Sequence, residues 1–231
     1  MHRHLPQLVE LRVPVLVVPR GSGNDFARAL GFRSVRNSRD AWLKFSSRRS
    51  NVRTIDLGVI TSPAANRQQH YFCCVGGVGL DADIARRANR LPRWLRAHGG
   101  YVFSLLPALL KFSPFAVQIS GSRITKPIVL AAFANAPTYG GGMKIAPRAS
   151  LDDGLLDVCV IRDMNRFKLF CLFPSVYFGR HLSITQVEYF QTERVRLETD
   201  EPLDVYADGE FVCRTPIEVR VERGALRVIV P

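Results

Sequence analysis

The pattern of hydrophobic and polar positions divides the chain into two parts. Near the start, residues 13–18 (VPVLVV) form a continuous apolar run, which is typical of a strand buried on both faces of a parallel sheet. A glycine turn follows, and residues 26–30 have the pattern of a short helix that Asn24 or Asp25 can cap and Gly31 ends. A strand, a turn and a helix form half of a βαβ unit. The first part is therefore predicted to be the end of a larger α/β domain.

The second part, from residue 55 onward, consists mainly of short strand-like runs separated by turn residues. Two longer helical patterns interrupt them, one at residues 83–112 with a break near Gly99 and Gly100, the other at residues 165–179. Many short strands with few helices are typical of a β-rich sandwich or barrel. The strand-like runs cover residues 55–60, 71–75, 116–119, 128–135, 155–161, 194–198, 203–207, 217–221 and 226–230.

The predicted fold class is thus an α/β remnant followed by a larger β-rich domain that is sandwich- or barrel-like. We assign residues 1–55 to the C-terminal part of the α/β domain and residues 56–222 to the β-rich domain. Residues 223–231 are predicted to form a final strand that can return to the first domain.

The net charge narrows the class of partner. The chain has 32 Lys and Arg residues against 20 Asp and Glu residues, a formal net charge of +12. Such an excess suits nucleic acid, a membrane surface or a phosphorylated small molecule. No nucleic-acid partner is expected, because the basic residues are spread along the chain without interleaved aromatic residues or a recognition helix.

Cysteine usage and hydropathy indicate a cytoplasmic location. The five cysteines include no CxxC pair and no signal peptide follows Met1, so free buried thiols in a reducing compartment are expected. The longest apolar stretch, residues 101–117, is interrupted by Pro107, Lys111 and Pro114 and is too short for a spanning helix. Contact with a membrane is expected only at its surface.

Two glycine-rich segments are candidates for phosphate binding. The second of them, residues 139–144, has three consecutive glycines that allow close approach of a ligand. In the first segment, residues 21–25, the glycines let the backbone approach a phosphate and a serine offers a hydroxyl. The helix that follows directs its positive end toward the anion. An ordinary glycine turn and a loop without a ligand are the alternatives. The first segment consists of Gly21, Ser22, Gly23, Asn24 and Asp25.

Two acidic segments are candidates for metal binding and catalysis. Residues 150–157 (SLDDGLLD) carry three acids within six positions, which could hold a hard cation such as Mg²⁺. Further along, Asp208 and Glu210 flank Gly209. Residues two apart on an extended strand share a face, so one carboxylate could accept a proton while the other orients the hydroxyl. A plain hairpin turn is the alternative for each segment.

The order of these segments resembles the catalytic domain of the diacylglycerol kinase family, which includes bacterial lipid kinases and the sphingosine and ceramide kinases. The resemblance runs from about residue 13 to the last residue. It implies a two-domain lipid kinase whose first domain binds nucleotide, with ATP and Mg²⁺ as cofactors and a lipid hydroxyl as acceptor. The segments that carry it are PRGSGNDFARALG, VGGVGLDADIARRAN, YGGGMKIAPRASLDDGLLDV, DGE and GALRVIVP.

The resemblance also implies roles for individual residues. The turn that contains Gly21 and Asp25 would lie beside the ATP phosphates. The DGE acid Glu210 would be the general base, with Asp208 as its neighbour. Mg²⁺ would be held by one carboxylate and two main-chain oxygens, which by position belong to Asp153, Ser150 and Leu155.

One motif of the family is missing. Family members carry a GGDGT phosphate-binding loop upstream of the glycine turn, and no GGDGT occurs in this chain. We therefore expect the chain to be N-terminally truncated, with weak or no phosphoryl transfer in this form. The edge of residues 13–18 would be exposed, which carries a risk of aggregation or of homodimer formation. The alternative function is a non-catalytic module that binds a lipid or a partner chain.

A basic amphipathic stretch around Trp94 is the expected membrane contact, since this pattern suits docking on anionic phospholipid. A solvated helix face is the alternative. The protein is therefore predicted to be cytoplasmic and peripherally associated with the membrane that holds its lipid substrate. The arginines of the stretch are Arg86, Arg87, Arg90, Arg93 and Arg96.

Overall fold

The helices lie mostly near the start and on one side of the protein. The computed structural model describes residues 2–21, 23–47, 50–63, 68–90, 107–108, 112–120 and 127–231. Short 3₁₀ turns cover His2–His4 and Arg180–Ser183. The α-helices in the described residues are α1 (Leu5–Leu11), α2 (Asp25–Ala29), α3 (Val35–Ser46), α4 (Leu80–Arg90) and α5 (Arg166–Tyr177).

Strands make up most of the remainder. They are β1 (Val15–Leu16), β2 (Val52–Thr61), β3 (Gln69–Phe72), β4 (Val75–Gly79), β5 (Val117–Ile119), β6 (Ile128–Ala134), β7 (Leu156–Arg162), β8 (Val187–Thr192), β9 (Arg194–Thr199), β10 (Asp204–Ala207), β11 (Glu210–Arg214) and β12 (Ile217–Ile229).

These strands form two six-stranded sheets. The first has the order β3-β2-β12-β9-β5, with β1 added beside the end of β12, and the second has the order β11-β10-β4-β6-β7-β8. The pairing of β1 with β12 is parallel, whereas the other pairings are antiparallel. A small N-terminal part followed by a large antiparallel β domain confirms the predicted fold class.

The two sheets pack around a shared apolar core. Phe133 and Val158 of the second sheet and Ile60 and Val219 of the first are all fully buried in one cluster. Strand β6 is buried along its whole length, because its alternate residues face a second cluster on the other side. Helices α2 and α5 and the loop at residues 143–151 contribute to that second cluster. The second sheet is therefore the middle layer between the first sheet and the helices.

The expectation that residues 13–18 form a strand buried on both faces is wrong. Only Val15 and Leu16 are in a strand, both are half-buried, and Val13 and Val18 are 45% and 44% exposed. Among the described strands, β1 pairs only with β12, through Val15 with Val228 and Leu16 with Ile229. With this single neighbouring strand, Val13 and Val18 at the two ends of the run stay exposed, whereas Val17 is half-buried against the core.

Several further elements differ from the sequence pattern. The run at residues 71–75 is two strands, because the chain bends at Cys73 and Cys74. The runs at residues 217–221 and 226–230 belong to one strand, β12, whose pairing with β2 shifts between Glu222 and Leu226. The pattern did not predict α3, β8 or β11. The helix at residues 165–179 is confirmed as α5, while most of the predicted helix at residues 83–112 lies outside the described residues beyond α4.

Four of the five thiols are buried. Cys171 is exposed on α5, which contradicts the expectation that all are buried, while Cys73, Cys74, Cys159 and Cys213 lie inside the protein. None of the described helices is long and apolar enough to cross a lipid bilayer.

A close contact between strands β2 and β3 gives a stability prediction. The ring of Phe72 covers Gly58, and a Cβ atom at Gly58 would lie 2.0 Å from the Cζ atom of Phe72. Phe72 is fully buried, so its ring cannot move without disturbing the core. Gly58→Ala is expected to lower the free energy of unfolding by about 1–3 kcal/mol in urea titrations. Gly21→Ala is the control, because a Cβ atom there would meet its nearest neighbour at 3.6 Å.

Candidate active site

The Asp208–Glu210 segment is the turn of the β10–β11 hairpin. Ala207 pairs with Glu210, and the two residues between them have positive φ angles, 49° at Asp208 and 84° at Gly209. This backbone is that of a two-residue hairpin turn, in which Asp and Gly are favoured. The interpretation as a plain hairpin turn is therefore correct for the backbone. The side chain of Asp208, however, also binds another part of the chain.

The carboxylate of Asp208 attaches this turn to the bend between β3 and β4. It accepts hydrogen bonds from the backbone N–H groups of Cys73 (2.7 Å), Cys74 (2.9 Å) and Val75 (3.3 Å). The N–H of Asp208 donates in return to the carbonyl of Val75 at 3.0 Å. Burial raises the pKa of Asp208, although the three N–H donors and His2 oppose that effect. The turn is therefore held rigidly against the second sheet.

Glu210 has a different environment from Asp208. Its side chain is 51% exposed, and Arg3 is its ion-pair partner at 3.8 Å. The period-two argument for a shared face does not apply, because the positive φ angles take Asp208 and Gly209 out of the extended conformation. Glu210 is thus accessible to a reactant, while Asp208 is bound to main chain. Their catalytic roles stay predictions.

Asp25 joins the two glycine-rich segments. Its side chain is 9% exposed, and one oxygen accepts from Arg28 at 2.7 Å while the other accepts from the N–H of Gly141 at 2.8 Å. Gly140, Gly141 and Gly142 all have positive φ angles, which explains the run of three glycines. The interpretation of residues 139–144 as a loop without a ligand therefore does not account for the hydrogen bond between Gly141 and Asp25 of the first segment.

The first glycine turn is closed by its own residues. The side chain of Asn24 accepts from the N–H of Gly21 at 3.0 Å and donates to the carbonyl of Gly21 at 2.8 Å. Asn24 precedes α2 without a side-chain cap bond. Gly23 and Asp25 complete the described part of the turn, while Ser22 lies outside the described residues.

Three of the four predicted segments meet near Cys74. Burial raises the pKa of its thiol well above the usual range, and the carboxylates of Asp208 and Asp25 raise it further. Arg28 has the opposite effect on the same thiol. The DGE turn contacts this bend through the N–H of Cys74, and the first glycine turn, which binds Gly141 of the second segment, is close enough for Asp25 to act on the same thiol.

The fourth segment, residues 150–157, consists of a loop at 150–155 and the first two residues of β7, so the hairpin interpretation is wrong here. Asp152 is bound by Arg53 and by the hydroxyl of Ser150, and the hydrogen bond from Arg53 is the main cause that lowers the pKa of Asp152. Asp153 turns back on its own loop, where its Oδ1 atom accepts from the N–H of Leu155 at 3.1 Å. The two adjacent acids therefore have separate roles in this loop.

The oxygen atoms of this loop are suitable ligands for a hard cation. In the described hydrogen bonds, the Asp153 carboxylate uses only Oδ1, which leaves Oδ2 for another partner. One carboxylate oxygen and the main-chain oxygens of Ser150 and Leu155 are the hard ligands that Mg²⁺ prefers. No group of three His, Cys, Asp or Glu side chains is arranged for a metal within the described ranges, so any ion here would depend on main-chain oxygens.

The sequence interpretation missed Asp56, which holds this loop. Its buried carboxylate accepts from the N–H of Gly154 at 2.8 Å and from the N–H of Gly224 at 2.7 Å. Its own N–H donates to the carbonyl of Leu151 at 2.6 Å. The sequence signal that could have revealed Asp56 is its position as the single acid within the apolar run at residues 55–60.

Asn135 connects the Asp56 loop with the DGE turn. Its fully buried side-chain amide donates to the carbonyl of Asp56 at 3.0 Å and to that of Cys73 at 3.1 Å. Because Cys73 also donates to Asp208, a continuous series of hydrogen bonds runs from the DGE turn to Gly154. The proposed metal loop and the DGE turn are therefore joined in one hydrogen-bond network through Asp208.

A second buried acid lies beside the same loop. Asp157 is fully buried, and its carboxylate accepts from the hydroxyl of Tyr189 and from the amide of Gln191. Burial raises the pKa of Asp157, the two hydrogen bonds lower it, and the nearby negative charge of Asp153 raises it again. A cation at Asp153 would relieve this last repulsion.

A separate cavity of about 400 Å³ lies at the other end of β10. Arg86 and Arg87 line it and both bind the carboxylate of Asp83. Burial raises the pKa of Asp83, but the hydrogen bonds from Arg87 and Arg86 outweigh it and lower the value. Arg86 and Arg87 of the predicted membrane stretch are therefore paired within the protein, whereas Arg93, Trp94 and Arg96 lie outside the described residues.

Comparisons with known proteins identify relatives over nearly the whole chain. Residues 74–230 match the family described as the YegS C-terminal NAD kinase beta sandwich-like domain. A diacylglycerol kinase of Mycobacterium tuberculosis strain H37Rv is 34% identical over 229 residues, which cover 95% of this chain and 70% of that protein. A diacylglycerol kinase of Bacillus subtilis is 25% identical over 219 residues, 93% of this chain and 68% of that protein.

The fold also matches a solved structure. A diacylglycerol kinase from Bacillus anthracis superposes with a TM-score of 0.64 over 97% of this chain and 70% of its own, at 19% identity. This likeness confirms the architecture of two sheets with an N-terminal α/β part.

Proposed function

Since the chain belongs to the diacylglycerol kinase family of lipid kinases, we propose that it transfers the γ-phosphate of ATP to the hydroxyl of diacylglycerol or a similar lipid alcohol. The observation that supports this most directly is the DGE turn. Three main-chain donors hold Asp208, and Glu210 at the other end of the turn is left half exposed.

Glu210 acts as the general base in this proposal. A lipid hydroxyl is a weak nucleophile, so Glu210 accepts its proton as the oxygen attacks the γ-phosphorus of ATP. A new bond forms between the lipid oxygen and phosphorus, and the bond to the β,γ-bridging oxygen breaks. ADP leaves with that electron pair. Asp208 positions the turn and keeps Glu210 at a fixed place.

The glycine segments bind the ATP phosphates in this proposal. Asp25 fixes the first turn and Gly141 relative to each other, while Arg28 places a positive charge beside them. Backbone N–H groups and a guanidinium suit the charge that develops on the transferred phosphoryl group. The hydroxyl of Ser22 is proposed as a further donor.

The loop at residues 150–155 is the proposed Mg²⁺ site. Asp153 would supply a carboxylate oxygen, and Ser150 and Leu155 would supply main-chain oxygens. When bound, the ion would neutralise negative charge on the phosphates. Asp56 and Asn135 keep this loop in register with the DGE turn.

The two adjacent acids of this loop give a prediction with a built-in control. Asp153→Asn is expected to raise the Mg²⁺ concentration needed for half-maximal transfer by at least about tenfold, because the carboxylate ligand is lost while the side-chain oxygen can still cap Leu155. Asp152→Asn should leave that concentration nearly unchanged, since Asp152 binds Arg53 at the surface. Equal effects of the two changes would contradict the proposed site.

The proposal is tested by phosphoryl transfer from labelled ATP and Mg²⁺ to diacylglycerol in mixed micelles. Labelled phosphatidic acid is the expected product. Because no GGDGT sequence occurs in the chain, we expect a low rate, for which the label provides sensitivity. If the folded chain phosphorylates neither diacylglycerol nor sphingosine nor ceramide, the non-catalytic lipid-binding module replaces this proposal.

A further inference from the structure

Helix α5 is apolar on two opposite faces. Leu169, Leu172 and Val176 face the core and are 5%, 3% and 3% exposed. On the opposite face, at the spacing i, i+3, i+4, i+7 and i+11, lies a second apolar stripe that we call the outer stripe. It consists of Phe167, Phe170, Cys171, Pro174 and Phe178.

The outer stripe is unusually exposed for aromatic residues. Phe167 and Phe178 are 73% and 71% exposed, and Phe170 is 49% exposed. A helix at the surface of a protein normally has polar residues on its solvent face. Three phenylalanines on one uncovered face therefore indicate an interaction surface.

The segment that contains the outer stripe carries cations and no acids. Arg166 and Lys168 flank its first turn, Arg180 follows its end, and no Asp or Glu occurs at residues 164–187. Lys144 lies beside Gly179 at the same end. None of the ion pairs within the described ranges involves Lys144, Lys168 or Arg180. The surface thus combines exposed aromatic rings with positive charge.

We infer that the outer stripe and its flanking lysines and arginines dock on the surface of an anionic phospholipid bilayer. The phenylalanine rings enter the boundary between headgroups and acyl chains, and the cations contact the lipid phosphates. A second copy of the chain fits less well, because a two-fold interface would bring Lys168 and Arg180 of two strongly cationic chains together. The inference rests on the proposed function only in that a lipid substrate requires access to a membrane.

The position of the helix supports this inference. The carbonyl of Val176 accepts from the N–H of Lys144 at 3.1 Å, and Gly179 packs against Pro147. Burial raises the pKa of Tyr177, and the carboxylate of Asp25 raises it further. The end of α5 therefore lies beside the second glycine segment and Asp25. Docking through this face would bring the candidate active site next to the bilayer.

The exposed thiol of Cys171 allows a direct test. We would attach a polarity-sensitive fluorophore to Cys171, whose four companion thiols are buried, and add vesicles of phosphatidylcholine with or without phosphatidylglycerol. A blue shift with the anionic vesicles alone is expected. A chain labelled instead on α3, carrying Cys171→Ser and Leu43→Cys, should show no shift.

Two variants test the contributions of rings and charge. Phe167→Ser with Phe178→Ser is expected to lower the partition coefficient on anionic vesicles about 10–100-fold. Lys168→Glu is expected to lower it about fivefold or more. The matched control, Trp42→Ser with Leu43→Ser, removes two exposed apolar side chains from α3 and should bind as the unchanged chain does. Circular dichroism confirms that each variant is folded.

Three results would overturn the inference. They are vesicle binding without a shift at Cys171, no binding by the folded chain, and a shift that depends on protein concentration without vesicles, which would identify an interface between copies. Vesicle binding needs no turnover, so these results are separate from a failure of the proposed function. Transfer to a water-soluble short-chain diacylglycerol, measured in parallel, tests that function alone.

Discussion

Replacing Glu210 by Gln is expected to lower the rate of phosphoryl transfer to diacylglycerol about 10²–10⁴-fold. The amide has nearly the shape of the carboxylate but cannot accept the proton of the lipid hydroxyl. Glu210 is half exposed and its ion pair with Arg3 at 3.8 Å lies at the surface, so the change should alter the free energy of unfolding by less than about 1 kcal/mol. The rate is measured with labelled ATP at saturating Mg²⁺.

The control for this change is Glu198→Gln. Glu198 is an exposed acid of β9 in the other sheet, and its loss removes the same charge without touching the DGE turn. Transfer by this variant should equal that of the unchanged chain. A Glu210→Gln variant that retains more than about a tenth of the rate would exclude Glu210 as the general base.

The β-rich part of the fold follows from local patterns because its strands are strongly apolar. Strand β6 is a continuous apolar run and β7 is apolar apart from Asp157 and Arg162, and both lie buried in the middle layer. Strand β11 (EFVCR) was missed because it begins directly at the turn and mixes exposed and buried residues over only five positions. The prediction of a buried strand at residues 13–18 was wrong for another reason. The burial of a strand depends on its neighbours, and among the described strands β1 has only β12 beside it.

Motif order located the segments of the candidate site but not the contacts between them. The turn at Asp25 was expected to cap a helix, whereas its carboxylate binds Gly141 across a separation of 116 residues. The three N–H donors that bind Asp208 are likewise more than 130 positions away. Such contacts depend on strand pairing in three dimensions, which local spacing does not encode.

Asp56 is the clearest case of this limit. An acid within an apolar run indicates a buried polar contact, but its partners, Gly154 and Gly224, are 98 and 168 positions away. Both donors are glycines with positive φ angles, Gly154 in the loop before β7 and Gly224 at the irregularity within β12. The sequence therefore indicates that Asp56 is special, and only the structure shows what it binds.

Asp56→Ala is expected to lower the free energy of unfolding by about 2–5 kcal/mol, because it leaves the N–H groups of Gly154 and Gly224 without their acceptor. Each donor loses a hydrogen bond to a charged group inside the protein, at 2.8 Å and 2.7 Å. The loop at residues 150–155 should loosen as well, so the Mg²⁺ requirement of the folded variant should rise. Urea unfolding followed by circular dichroism measures the first effect.

Asp152→Ala is the control for stability, since it removes a surface acid of the same loop. Its ion pair with Arg53 involves side chains that are about 40% exposed, so its loss should cost less than about 1 kcal/mol. Asp56→Asn adds a finer test, because the amide retains one acceptor oxygen but presents an N–H group to the second donor. If Asp56→Ala is as stable as Asp152→Ala, water satisfies the two glycine amides in the variant. Asp56 would then not be the residue that holds the proposed metal loop to the DGE turn.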